Sequence, residues 1–150
     1  GASLRRRPVG LDEAHARHRA ALAVLYVVTE TVVERVPERV AVALVTDAAG
    51  EPLWLARIAP DSAELVVRTV SDVEAKPDND YELWALTEAG VPVSLGLLPQ
   101  SGQSAVPLNA AVLAAIADSS TLAVSLEPQG GSPEPVPTGP VLYTAALLTP

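Results

Sequence analysis

His15 and His18 stand three residues apart in a stretch with helical spacing, so one helix face would carry both imidazoles and could begin a metal site. The chain has no cysteine, and no nearby Asp/Glu pattern supplies a third ligand, so the pair reads as a solvated helix face. Asp78-Asn79-Asp80 offers oxygen ligands at the close spacing that calcium uses, but the glycine and distal glutamate of a calcium loop are missing. A polar loop is the better reading. Asp78 and Asp80 are also too close in sequence to reach the carboxylate separation of a glycosidase without a special loop geometry. A Ser–His–Asp triad would have to draw on the two N-terminal histidines. No Gly-rich nucleotide or phosphate fingerprint occurs. The expectation is a protein without catalytic residues, metal or cofactor. Of the two tryptophans, Trp84 reads as core, whereas Trp54 reads equally as core or as an exposed platform for a sugar or peptide.

The elements that would position these groups follow from composition and pattern. Hydrophobic residues make up 49% of the 150, enough for one packed domain. Aromatics are only 3% with no Phe, so the core must be mostly Val, Leu and Ala. A formal net charge of −8 repels phosphate backbones and argues against nucleic acid as a partner. Absence of cysteine excludes disulfides and leaves the redox compartment open. The longest apolar run, 20–28, is too short for a membrane-spanning helix of roughly 20 residues. Arg5-Arg6-Arg7 looks like the start of a signal peptide, but Asp12, Glu13, His15 and His18 interrupt what would follow.

Residues 1–10 are expected to be disordered, with Gly1-Ala2-Ser3 a cloning remnant on a piece of a longer protein. Residues 11–37 are expected to hold a helix capped by Asp12, with Leu22, Leu25, Val28, Val32 and Val36 as an apolar stripe, although Tyr26-Val27-Val28-Thr29 and Thr31-Val32-Val33 in its second half are β-branched and aromatic and read equally as strand. Pro37 ends it. Such a stripe needs a partner surface, either the sandwich or a second copy, and a homodimer through it is the favoured expectation. From 38 to 150 the pattern is of strands separated by turns at roughly 8–12-residue spacing. Strands are expected at 40–45, 53–58 and 64–70, followed by a polar loop at 76–80. A hairpin then runs over 81–96, turning at Glu88-Ala89-Gly90. Tyr81, Leu83 and Trp84 are its expected core residues, with Trp84 the anchor. A short helix capped by Asn109 and strands at 121–126 and 141–148 complete the chain. The fold class is thus mainly β: an antiparallel β-sandwich with an N-terminal α-helix and one short inserted helix.

Between the last two strands lies Glu127-Pro128-Gln129-Gly130-Gly131-Ser132-Pro133-Glu134-Pro135-Val136-Pro137-Thr138-Gly139-Pro140. Its proline density predicts a stiff, extended loop. A long loop in a compact domain is usually functional or disordered. Gly130, Gly131, Ser132 and Pro133 are therefore candidate interaction residues, alongside Trp54, Leu22, Leu25 and Val32. The plainer reading of the loop is a crossover between two sheets.

Three stretches together resemble the C-terminal, extracytoplasmic domain of anti-sigma-K factor (RskA-like) proteins. They are Tyr81-Glu82-Leu83-Trp84, then Val91-Pro92-Val93-Ser94-Leu95-Gly96, then Val124-Ser125-Leu126-Glu127-Pro128-Gln129-Gly130-Gly131-Ser132-Pro133 with Thr138-Gly139-Pro140-Val141. The resemblance covers about residues 40–148. It implies the outer domain of a membrane-anchored anti-sigma factor, on the extracytoplasmic face of the plasma membrane, with 11–37 as a juxtamembrane stalk. The implied partners are a site-1-type protease or regulatory protein. A sigma factor would be bound only through a segment absent from this chain, as is the membrane helix. The alternative is an extracellular carbohydrate- or peptide-binding β-sandwich module using Trp54 or the proline loop.

Overall fold

The computed structural model describes residues 40–150 apart from Ala75. The expected N-terminal helix, with His15, His18, Leu22, Leu25, Val28, Val32 and Val36, lies outside the described residues. In chain order the elements are β1 (Ala41–Thr46), β2 (Pro52–Ala59), β3 (Glu64–Thr69), β4 (Asn79–Thr87), β5 (Pro92–Leu97), β6 (Gln103–Pro107), α1 (Ala110–Ala117), β7 (Ser119–Pro128) and β8 (Val141–Ala146). The strands form two four-stranded sheets, ordered β1-β2-β3-β6 and β5-β4-β7-β8, and every pairing is antiparallel. A bridge in which Val42 and Leu148 exchange hydrogen bonds of 2.9 Å each links one edge of the first sheet to the chain just past β8.

Period-two alternation explains which side chains face inward. Ala41, Ala43 and Val45 of β1 are buried, as are Trp54, Ala56 and Ile58 of β2, and Leu65 and Val67 of β3. Tyr81, Leu83 and Ala85 of β4 meet Leu126, Val124 and Leu122 of β7 across the ladder, and this register turns all six to one face. These residues belong to a single core shared by the two sheets. Trp54 sits at its centre, edge-on to Tyr81 at 5.1 Å and to Tyr143 at 6.1 Å, in the T-shaped geometry that aromatic pairs favour. Its indole Nε1 donates to the Pro99 carbonyl at 2.8 Å, and the Thr69 hydroxyl donates to the same oxygen at 2.9 Å.

Turns and caps follow local chemistry. Asp47 Oδ1 accepts the N–H groups of Ala49 and Glu51, closing the β1–β2 turn. Asn109 caps α1 by accepting the Val112 N–H at 2.9 Å. Ile116 is the buried residue of that helix.

Four expectations are corrected. Residues 103–107, given no element from sequence, form the edge strand β6 paired with β3. Asn79 and Asp80, read as loop, belong to β4 and face Pro128 and Glu127. Residues 129–140 do not cross between sheets, because β7 and β8 are neighbours in the same one. That segment is also not extended. It bends repeatedly, and Ser132 closes a bend by donating its hydroxyl to the Val136 carbonyl at 2.6 Å while accepting the Glu134 N–H at 3.2 Å.

Candidate functional site

The middle strands of the second sheet are buried on both faces, although one face carries polar residues. Opposite the core, β4 turns out Asp80, Glu82 and Trp84, and β7 turns out Glu127, Ser125 and Ala123; the register sets them in directly facing pairs. Glu82, Trp84, Ala123, Ser125 and Glu127 are nonetheless buried, with Ser125 and Glu127 at 0% exposure. Trp84 stands apart from the inter-sheet core to which Tyr81 and Leu83 belong. Register shifts at Leu83/Trp84 against β5 and at Val124/Ser125 against β8 flank this group, and such bulges re-aim side chains.

Residues 129–140 form a strap hydrogen-bonded to this face. Asp80 accepts the Gly130 N–H at 2.7 Å. Glu82 accepts the Ser132 N–H at 2.7 Å through one oxygen and the Ser94 hydroxyl at 2.6 Å through the other. Glu127 takes the most: the Thr138 hydroxyl at 2.6 Å, the Thr138 N–H at 3.1 Å, the Gly139 N–H at 3.0 Å and the Ser125 hydroxyl at 2.6 Å. Trp84 Nε1 in turn donates to Ser125 Oγ at 2.9 Å. A relay thus runs from the indole through Ser125 to Glu127 and on to the strap. The Leu126 N–H donates to the Pro140 carbonyl at the strap's far end, and the Asn79 side chain donates to the Glu127 carbonyl.

The electrostatics are those of anions held by neutral donors. Among the described residues the ion pair is Lys76 with Glu74, away from these carboxylates. Burial disfavours the charged form of Glu127, but hydrogen bonds from Ser125, Thr138 and Gly139 outweigh it and hold the carboxyl below its ordinary value. The close fit leaves no room for larger residues. A Cβ on Gly139 would overlap the Leu126 carbonyl oxygen, and one on Gly131 (φ +102°) would press on Glu82 Oε2 and the Leu97 side chain at 3.2 Å.

Of the residues singled out from sequence, Gly130, Gly131 and Ser132 come together at the strap's first contacts with Asp80 and Glu82, and Pro133 stands exposed just beyond. Trp54 is corrected: at 0% exposure it cannot serve as a ligand platform. Leu22, Leu25 and Val32 lie outside the described residues. Sequence reasoning passed over Glu82, Ser125, Glu127 and Thr138. A signal existed, because Asp80 and Glu82 on one strand and Ser125 and Glu127 on the other stand at alternate positions, but that pattern ordinarily marks a wet face.

An open recess of about 500 Å³ beside the first sheet is lined by Thr69, Ser71, Asp72, Gln100 and Ser101, among others. Its polar groups serve the fold: Thr69 bonds Pro99, Ser71 bonds Glu51, and the Gln100 amide bridges Lys76 and Asn79. No helix among the described residues is long and apolar enough to cross a membrane.

A family model described as anti-sigma-K factor rskA, C-terminal, matches residues 18–141. No curated protein and no solved structure matches the chain significantly.

Proposed function

The chain belongs to the anti-sigma-K factor C-terminal family, and on that premise we propose that it is the extracytoplasmic, regulatory domain of a membrane-anchored anti-sigma factor. In this reading the domain performs no chemistry. It governs release of a sigma factor by controlling when a site-1-type protease reaches the protein, and the sigma factor is held by a different segment. The family match over residues 18–141 carries the proposal. Two features support it over a sugar- or peptide-binding module: the strap's polar contacts go to its own chain's carboxylates, and Trp54, one of the two features on which such a module would rest, is buried. We further propose, from the apolar stripe of Leu22, Leu25, Val28, Val32 and Val36, that the chain pairs with a second copy.

Three measurements test this. The chain lacks cysteine, so Glu88→Cys in the exposed β4–β5 turn gives the full-length protein a label site. Reaction with an impermeant maleimide in whole cells supports an outer location, and reaction only after lysis overturns it. A reporter driven by the cognate sigma-dependent promoter should change output when residues 40–150 are deleted from the full-length protein. An unchanged reporter would remove the regulatory role. Sedimentation with and without residues 1–36 tests pairing, which a monomer in both forms would exclude.

A further inference from the structure

We propose that Asp80, Glu82 and Glu127 form a carboxylate latch that lets go of the 129–140 strap in acid while the two-sheet core stays folded. Three carboxylates on one face of the β4–β7 pair each accept main-chain N–H groups from the strap, at Gly130, Ser132, Thr138 and Gly139. A carboxylate is an acceptor only; once protonated it presents a donor and a weaker acceptor to a strap that itself offers N–H groups. Each protonation therefore weakens the hold at that point.

The charges around the latch all act in the same direction. The titratable groups facing the strap are Asp80 and Glu82 from β4 and Glu127 from β7, and the strap adds Glu134. Asp80 and Glu127 are directly opposed across the ladder, a pairing of like charges that the strap's donors offset. Arg57, Arg68 and Lys76 are the basic residues after Val40. Among the described residues none of them pairs with these carboxylates. The hydrogen bonds to Glu127 keep it charged to lower pH than an ordinary glutamate. At Glu127 the latch accordingly holds through mild acid and opens only where that carboxyl, held below its ordinary value, takes up a proton.

The core is built differently. It consists of apolar side chains from both sheets together with ladder hydrogen bonds, neither of which titrates here. Strap release and core unfolding are therefore separable events, a local opening below the global one. This inference is independent of the regulatory reading above and survives its failure.

The test is amide hydrogen exchange by NMR on the whole chain from pH 7 to pH 3, with protection corrected for the intrinsic pH dependence. The probes are the N–H groups of Gly130, Ser132, Thr138 and Gly139 in the strap. Leu98, which donates to Tyr81 at 2.8 Å, and Val70, which donates to Leu53 at 2.8 Å, report on the core. The expected result is at least a tenfold loss of protection at Thr138 and Gly139 at the acid end of that range relative to pH 7, with Leu98 and Val70 unchanged. In Glu127→Gln, protection at those two amides should already be reduced at pH 7 and vary little with pH. Glu82→Gln should do the same at Ser132, and serves alone if Glu127→Gln does not fold. Loss of strap and core protection together at every pH would overturn the latch. So would strap protection in the folded variants that follows the wild-type pH profile.

Discussion

Thr138 gives both its hydroxyl and its main-chain N–H to the carboxylate of Glu127, a side chain with no exposed surface. One strap residue thereby satisfies much of a buried anion that has no ion-pair partner among the described residues. A buried charge is tolerated only when its acceptor capacity is filled, and here four donors from Ser125, Thr138 and Gly139 fill it. The Glu127 carboxylate and the strap consequently stand or fall together.

Thr138→Val removes one charge-assisted hydrogen bond at nearly constant volume and should lower stability by about 1.5–3 kcal/mol. Glu127→Gln should cost a similar amount. The double variant should fall short of their sum by at least about 0.5 kcal/mol, because both changes remove the same contact. Urea unfolding of the four proteins measures this. Strict additivity would mean that the short Thr138–Glu127 distance carries no coupling.

The acid dependence of stability has a definite sign. Burial works against the Glu127 charge, hydrogen bonds from Ser125, Thr138 and Gly139 prevail, and the folded-state value lies below the unfolded one. The associated stabilisation is fully present above the unfolded glutamate value of about 4.3 and is lost as pH falls through the folded value. The stability difference between wild type and Glu127→Gln should therefore be constant from pH 7 to pH 5 and shrink as pH falls below the unfolded value towards the lower folded one. Urea midpoints across that range decide it, and a difference independent of pH would show that the charge contributes nothing.

Much of the fold was legible because its signals are local. The Glu88-Ala89-Gly90 turn, the Asn109 cap and the apolar runs of β1, β2 and β3 each specify themselves. β6 did not, since Gln103-Ser104-Ala105-Val106-Pro107 is short, mixed and closed by proline; it is a strand because β3 offers an edge. The two tryptophans teach more. Trp54 shares parity with Ala56 and Ile58 and faces the core, whereas Trp84 shares parity with Asp80 and Glu82 and faces away from Tyr81 and Leu83. That distinction was present in the period-two pattern. The cover over the polar face was not, because it depends on contacts between residues about 50 positions apart, such as Glu82 with Ser132.

Gly139→Ala should loosen the strap by sterics alone, without touching a carboxylate. Its Cβ would overlap the Leu126 carbonyl oxygen, and backbone rather than a flexible side chain would have to give way. Overpacking of this kind costs about 1–3 kcal/mol. The variant should also be cut within residues 129–140 by a broad-specificity protease sooner than wild type, since Pro133, Glu134, Pro135 and Val136 already lie exposed. Equal cleavage rates would show that the strap's far end is not what restrains it.

Trp84→Ala connects the fold to the proposed function. The indole is 1% exposed, and its Nε1 reaches Glu127 through Ser125. Truncating a buried tryptophan costs about 3–5 kcal/mol, and a domain of this size has roughly 5–15 kcal/mol in all. Every 1.4 kcal/mol is tenfold, so the unfolded fraction should rise about a hundredfold or more. The variant leaves the shared core residues Trp54, Tyr81 and Leu83 in the sequence, so the damage begins on the strap side of the sheet. If the domain protects a cleavage site by staying folded, Trp84→Ala in the full-length protein should speed its loss and raise output from the cognate sigma-dependent promoter. Glu88→Ala, in the exposed β4–β5 turn, should change neither. Intact protein and reporter are measured side by side, with the isolated chain's melting curve as the control for unfolding. A variant that unfolds in isolation yet leaves both cellular readouts at wild-type level would show that folding of this domain is not what restrains the signal.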